Sequence, residues 1–202
     1  MTSPESTSAM QRKMAAGLEG TQASGRSALR ALRLGLARAS RDLFDLPLAV
    51  IGATQSRQAQ ESLGDHLGHD RLLLLLDGPA RAIGAVSIDR SCLAALIQQQ
   101  TMGAVSKGDP VDRPFTGTDA AMAAPLIDAM IERAAGLAEI AADKQCLSGF
   151  RFGARSEDTR ALILTLEAER FRVFDLVLDF AGGIRQGEIR LAVPDISSGS
   201  ET

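Results

Sequence analysis

Residues 72–89 read LLLLLDGPARAIGAVSID, and residues 176–195 read LVLDFAGGIRQGEIRLAVPD. Each stretch is an apolar run of strand length, a turn rich in Gly or Pro, and a second apolar run closed by an aspartate. Strands send alternate side chains to opposite faces, whereas helices return to one face every three or four residues. From Arg172 to Phe180 the even positions Phe174, Leu176, Leu178 and Phe180 are apolar, and Asp175 and Asp179 fall on the odd face. Past the turn, Ile189, Leu191 and Val193 alternate with Glu188 and Arg190. This period predicts an antiparallel sheet with one buried and one wet face. The leucines at 72–76 do not alternate, as in a central strand or a helix fragment, and their brevity and the Gly78-Pro79 that follows favour strand. Gly182 and Gly183 lie between strands, so they read as hairpin residues supplying positive φ.

An amphipathic leucine-rich segment and a further candidate strand precede each hairpin, so both halves read as helix, strand, strand, strand. Leu29, Leu32, Leu36 and Leu43 recur at helical spacing after a capping Ser27, with Pro47 closing the segment. Arg30, Arg33 and Arg41 fall on its solvated side. Residues 48–55 read as a strand and 57–70 as a polar connection. Asp89 or Ser91 caps a helix through Leu93, Leu96 and Ile97 to Met102, and residues 103–114 form a loop. Thr118 is the expected cap of the longest helix, which carries Met122, Leu126, Met130, Ile131, Ala134 and Leu137. Pro125 inside it predicts a kink or a later start. Residues 147–155 and 161–166 complete the second set of strands. The expected fold is therefore α/β of the α+β kind: a pseudo-two-fold repeat of helix-strand-strand-strand units, with a mainly antiparallel sheet packed against long helices. It occupies residues 27–195, between an N-terminal tail (1–26) and a C-terminal tail (196–202) whose Ser, Thr, Gly and Ala content offers little to bury.

Composition narrows the function. The 202 residues are 45% hydrophobic, enough for one substantial core, and carry a net charge of -3. That charge gives no global field for nucleic acid or an anionic membrane. There is no Trp or Tyr and aromatics are 3%, so stacking platforms for bases or sugars are missing. Cys92 and Cys146 sit in apolar contexts away from any metal-ligand spacing, as in a reduced cytosolic protein. The first 25 residues lack the apolar block of a signal peptide, and no run is long enough to span a bilayer.

Constellations with catalytic potential are few. Asp65, His66, His69 and Asp70 have ligand-like spacing, since imidazoles three apart share a helical face. With Gly64 and Gly68 alongside and no Glu placed as a general base, they read as a solvated loop, and no metal or other cofactor is expected. No G-x-S-x-G elbow, reactive Cys neighbourhood or phosphate-cradling glycine motif occurs. Asp175 and Asp179 share one strand face and read as solvated residues before a cation site. The residues point away from an enzyme.

The doubled helix-and-strand order, the stretch Arg113, Pro114, Phe115, Thr116 with acidic Asp119 opening a long helix, and the closing strands at 171–194 resemble the middle domain of the flagellar motor switch protein FliM, whose fold is shared with the CheC and CheX phosphatases. The resemblance implies a non-catalytic subunit of the cytoplasmic switch ring, acting in torque generation, rotation switching and chemotaxis. It implies FliG-like and FliN-like partners, self-association in a ring and CheY as a further partner, at the cytoplasmic side of the inner membrane at the flagellar basal body. The family's Gly-Gly-x-Gly loop falls at Met102, Gly103, Ala104 and Val105, the candidate partner-binding loop, where only Gly103 matches. The phosphatase relatives use a Glu and an Asn three residues apart on a helix. This sequence has no asparagine, and Met122, Pro125 and Asp128 stand at the candidate positions. A CheC/CheX-type relative without the usual catalytic residues, or a component of a type III secretion ring, is the alternative reading.

Overall fold

The computed structural model describes residues 26–195. The expected tails lie, Arg26 apart, outside the described residues. Helix α1 (Ala28–Phe44) begins where the Ser27 hydroxyl accepts the Arg30 N–H and ends at Asp45 in the left-handed conformation. Six strands follow along the chain: β1 (Leu48–Ala59), β2 (Leu72–Asp77), β3 (Ile83–Ile88), β4 (Arg151–Ser156), β5 (Arg170–Phe180) and β6 (Arg185–Pro194). They form one sheet of order β1-β5-β6-β3-β2-β4 in which every neighbouring pair is antiparallel. Exchanging β1, β2 and β3 for β4, β5 and β6 reads the same order backwards. The repeat is thus a two-fold in the sheet itself, and each half lends its first strand to the other half's hairpin.

The interior placing of β2 explains its unbroken leucines, because it is paired on both edges and buried on both faces. The β2–β3 turn passes through Ala80 and Arg81 at positive φ, and the β5–β6 turn through Ala181, Gly182 and Gly183. The remaining helices are α2 (Gln60–Leu67), α3 (Arg90–Met102), α4 (Gly117–Leu137), α5 (Ala141–Leu147) and α6 (Thr159–Thr165). On one face, α1, α3, α4 and α5 close the main core over Phe174, Leu176, Leu178, Phe180, Ile189 and Leu191, all fully buried. Backbones of α1 and α4 meet at Gly35, where a Cβ would stand 2.9 Å from the Met130 carbonyl oxygen.

Several expectations are corrected by the second face. The odd side of β5 is not wet along its length: Phe171 and Val173 are buried with Leu73 beneath Leu63 and Leu67 of α2 and Leu162 of α6. Residues 57–70 are not a polar connection. β1 runs on to Ala59 because β5 offers it partners along its full length, and α2 follows. Residues 161–166 are not a strand but fall largely in α6, which starts where Asp158 caps the Ala161 N–H. β4 begins at Arg151, after α5, instead of at residue 147. The longest helix is capped by Thr116, not Thr118, through a reciprocal pairing with Asp119, and it contains Pro125 without starting later.

Candidate functional site

The candidate loop hangs from the end of α3. Asp89 caps that helix by accepting the Cys92 N–H at 2.7 Å. The helix then lies directly on β6 at Gly187, where a Cβ would come within 2.6 Å of the Cys92 nitrogen. Three successive glutamines in its last turns reach three different neighbours. Gln98 accepts the Ser106 N–H at 3.1 Å, Gln99 donates to the carbonyls of Phe44 and Asp45 at 3.1 and 3.3 Å, and Gln100 donates to Met122 at 3.0 Å. Gly103 terminates α3 at φ 72, a conformation that favours glycine, with its N–H on the Gln99 carbonyl. Met102 is 62% exposed and Gly103 and Ala104 are exposed, while Val105 turns into the core. The surface offered by the four is therefore that of Met102, Gly103 and Ala104.

Two arginines fix the rest of the loop through its backbone. Buried Arg185 donates to the carbonyls of Ser106 and Gly108 at 3.0 and 2.8 Å. Arg90 donates to those of Val111 and Arg113 at 3.3 and 2.5 Å, and its guanidinium lies 4.5 Å from the Phe115 ring centre. Arg113 grips Asp119 with two parallel hydrogen bonds of 2.8 and 2.6 Å. These bonds, helped by Thr116 and opposed by burial, hold the Asp119 carboxyl down at about 2. The bonds of Gln99 and Arg185 also bring the end of α1 and the β5–β6 turn to the same end of the molecule. Leu43 (45% exposed) and Ile184 (36%) are the exposed apolar residues of those two segments.

The histidine cluster is divided. His66 sits on α2, not in a loop, with Nε2 2.9 Å from Asp175 Oδ1. Asp175 also accepts from Thr54, and Arg190 spans the Glu188 carboxylate and the His66 carbonyl. Asp70 pairs with Arg90 at 2.5 Å, and Asp70 and His69 both line a cleft of about 620 Å³ beside Phe115, Arg155 and Arg160, apart from His66. Among the described residues no group of three or more His, Cys, Asp or Glu is placed to hold a metal ion. Asp179 accepts the Gly183 N–H at 2.8 Å, a turn contact. Both cysteines are free and buried, and burial pushes the Cys92 thiol up and Cys146 to about 11. Neither provides a thiolate near neutrality.

No protein-family model matches the sequence, and no curated protein matches it. Solved structures do match. A chain of the FliG–FliM complex from H. pylori superposes with a TM-score of 0.62 at 12% identity, covering 84% of this chain and 93% of that one. The chain has the fold of the FliM middle domain. Two further likenesses agree: the FliM middle domain from Vibrio alginolyticus (TM-score 0.53, 12% identity, 83% and 93% covered) and Thermotoga maritima FliY (TM-score 0.58, 7% identity, 81% and 84% covered). At these identities the likeness is one of fold.

On this FliM-like fold, reasoning from sequence located the turn after α3 but missed Gln98, Gln99, Gln100, Arg90 and Arg185, which hold it. The signal available was three glutamines at a helix end, where polar side chains able to reach neighbouring carbonyls replace the apolar residues of a core face. No helix among the described residues is long and apolar enough to cross a membrane.

Proposed function

We propose that this chain is a non-catalytic structural and interaction subunit of a flagellar motor switch ring. Its exposed turn at Met102, Gly103 and Ala104 is the contact for a FliG-like protein. FliN-like proteins, CheY and further copies of the chain are the other partners, at the cytoplasmic side of the inner membrane. The observation that carries this is the turn itself: on a FliM-like fold it exposes Met102 between segments held in place by Gln98, Gln99 and Arg185. A surface ordered before contact loses little entropy on binding.

The helix positions at which the phosphatase relatives keep their Glu and Asn support a non-catalytic reading. Met122 and Pro125 bring no acid, base or amide, and Asp128 is engaged with the β4 backbone, accepting the Phe152 N–H at 2.6 Å. Co-purification with FliG-like and FliN-like proteins tests the proposal. Met102→Arg with Ala104→Asp should cut FliG-like capture about tenfold or more, as expected for charges introduced at the centre of an apolar contact. Unchanged capture would remove the turn from the interface. Accelerated decay of phospho-CheY, or a deletion that leaves motility and secretion intact, would overturn the function.

A further inference from the structure

Two helical surfaces on opposite faces of the sheet carry opposite charge. On the outer side of α1, Arg30, Arg33, Arg38 and Arg41 are exposed around Leu34, itself 41% exposed. Among the described residues Arg30, Arg38 and Arg41 form no ion pair, and the helix's one acid, Asp42, is taken by Arg133 of α4. The opposite layer is α2 with α6. These two helices touch where Gly64 admits Thr159 and Ile163, and Gln60 donates to the carbonyls of Ile163 and Leu166. Exposed on or beside this pair are Glu61, Asp65, Glu157, Glu167 and Glu169, and none of the five forms an ion pair among the described residues. Arg155 and Arg160 are cations beside Glu157, and Leu164 of α6 is 78% exposed. Alternate residues of β5 prove that the layers are opposed: Phe174 lies in the core beneath α1, and Val173 lies beneath α2 and α6.

We propose that the arginine face of α1 on one copy docks on the acidic α2–α6 face of the next copy, with Leu34 and Leu164 as the apolar centre of the contact. This deepens the self-association in the proposed function and rests on that part of it. The geometry also selects the kind of assembly. A two-fold contact through α1 would set arginines against arginines, so the complementary contact is head-to-tail. Because the two surfaces lie on opposite sides of one molecule, every copy keeps one free surface of each sign, and assembly continues until a ring closes or a helix forms.

A charge swap in the full chain tests this by sedimentation velocity across a concentration series. The wild-type chain should self-associate beyond a dimer at low ionic strength and lose the association as salt rises, since exposed charges are screened over roughly 8 Å at physiological salt. Arg30→Glu with Arg38→Glu, and separately Glu61→Lys with Glu167→Lys, should each weaken association about tenfold or more through like-charge contact. Mixing the two variants should restore it, because their altered faces are again complementary. Circular dichroism checks that both fold, as surface changes of this kind allow. A wild-type chain that stays monomeric at low salt, a dimer that does not grow, variants that associate like wild type, or a mixture that fails to recover would each overturn the proposal. Loss of FliG-like capture with an intact charge swap would instead count only against the partner reading, so the two failures are distinguishable.

Discussion

The two halves of the molecule solve one packing problem differently. Each hairpin has a glycine early in its second strand, Gly84 in β3 and Gly187 in β6. At Gly187 the covering group is helix backbone, since a Cβ would stand 2.6 Å from the Cys92 nitrogen and 2.8 Å from its Cα. At Gly84 it is the Phe150 ring, 3.4 Å away, with the Ala192 carbonyl at 3.0 Å. A ring can tilt; a helix seated on a strand must move as a body. Duplication accounts for the sheet, while this departure from it accounts for the site, because the helix seated on Gly187 is the one that ends in Met102 and Gly103.

Substitutions at those two glycines should separate the halves most clearly. Gly187→Ala should cost about 3 kcal/mol or more of unfolding free energy through overpacking against backbone, and Gly84→Ala about 1 to 2 kcal/mol. Urea denaturation of both variants checks the order, and a reversed order would refute the contrast. Next in size is the acidic cap that links the halves. Asp119→Ala should lose about 2 kcal/mol, combining a helix cap with two charge-assisted hydrogen bonds. Its pH dependence has a definite sign. The carboxyl titrates at about 2, below its ordinary 3.8, so its contribution is complete above the ordinary value and is lost as pH falls through about 2. Asp119→Asn should therefore flatten the acid limb of the stability profile between pH ~4 and ~2. Asp89, whose carboxyl burial raises, acts in the opposite sense and above that window, favouring the fold as pH falls toward the ordinary 3.8.

Gln99→Ala should cost about 1 kcal/mol, with faster amide exchange at Gly103 as its mark. The smallest effect is expected at Gly103→Ala. Nothing lies within 4 Å of the added Cβ, so only the positive φ opposes it, at about 1 kcal/mol or less. A larger loss would mean that the turn is packed and not merely capped.

Side-chain period made most of the sheet legible. Phe174, Leu176, Leu178 and Phe180 alternate because one core lies beneath them, and all four are fully buried. Residues 161–166 misled because a short apolar run suits strand and helix alike. What decides is Asp158, which captures the Ala161 N–H, and a core that takes Leu162 while leaving Leu164 outside. In α2 only Leu63 and Leu67 are buried, an i, i+4 pair too sparse to stand out in polar sequence. The turn after α3 could be located from the helix end and Gly103. Its clasp could not, because a glutamine's choice among Phe44, Met122 and Ser106 exists only once three distant segments have been brought together.

The exchange of first strands between halves has a consequence for synthesis. β1 pairs Leu48 with Phe180, so it emerges from the ribosome long before its neighbour exists. The β2–β3 hairpin can form early, but β1 must wait as an unpaired strand carrying Val50 and Ile51, and neither half alone can complete its layer. Two features guard that interval and the exposed edge that persists afterwards. A bulge at Ile51 interrupts the regular ladder, and Arg33 donates to the Val50 carbonyl. Expression of the first half by itself should accordingly yield aggregate, and co-expression of the two halves should rescue it.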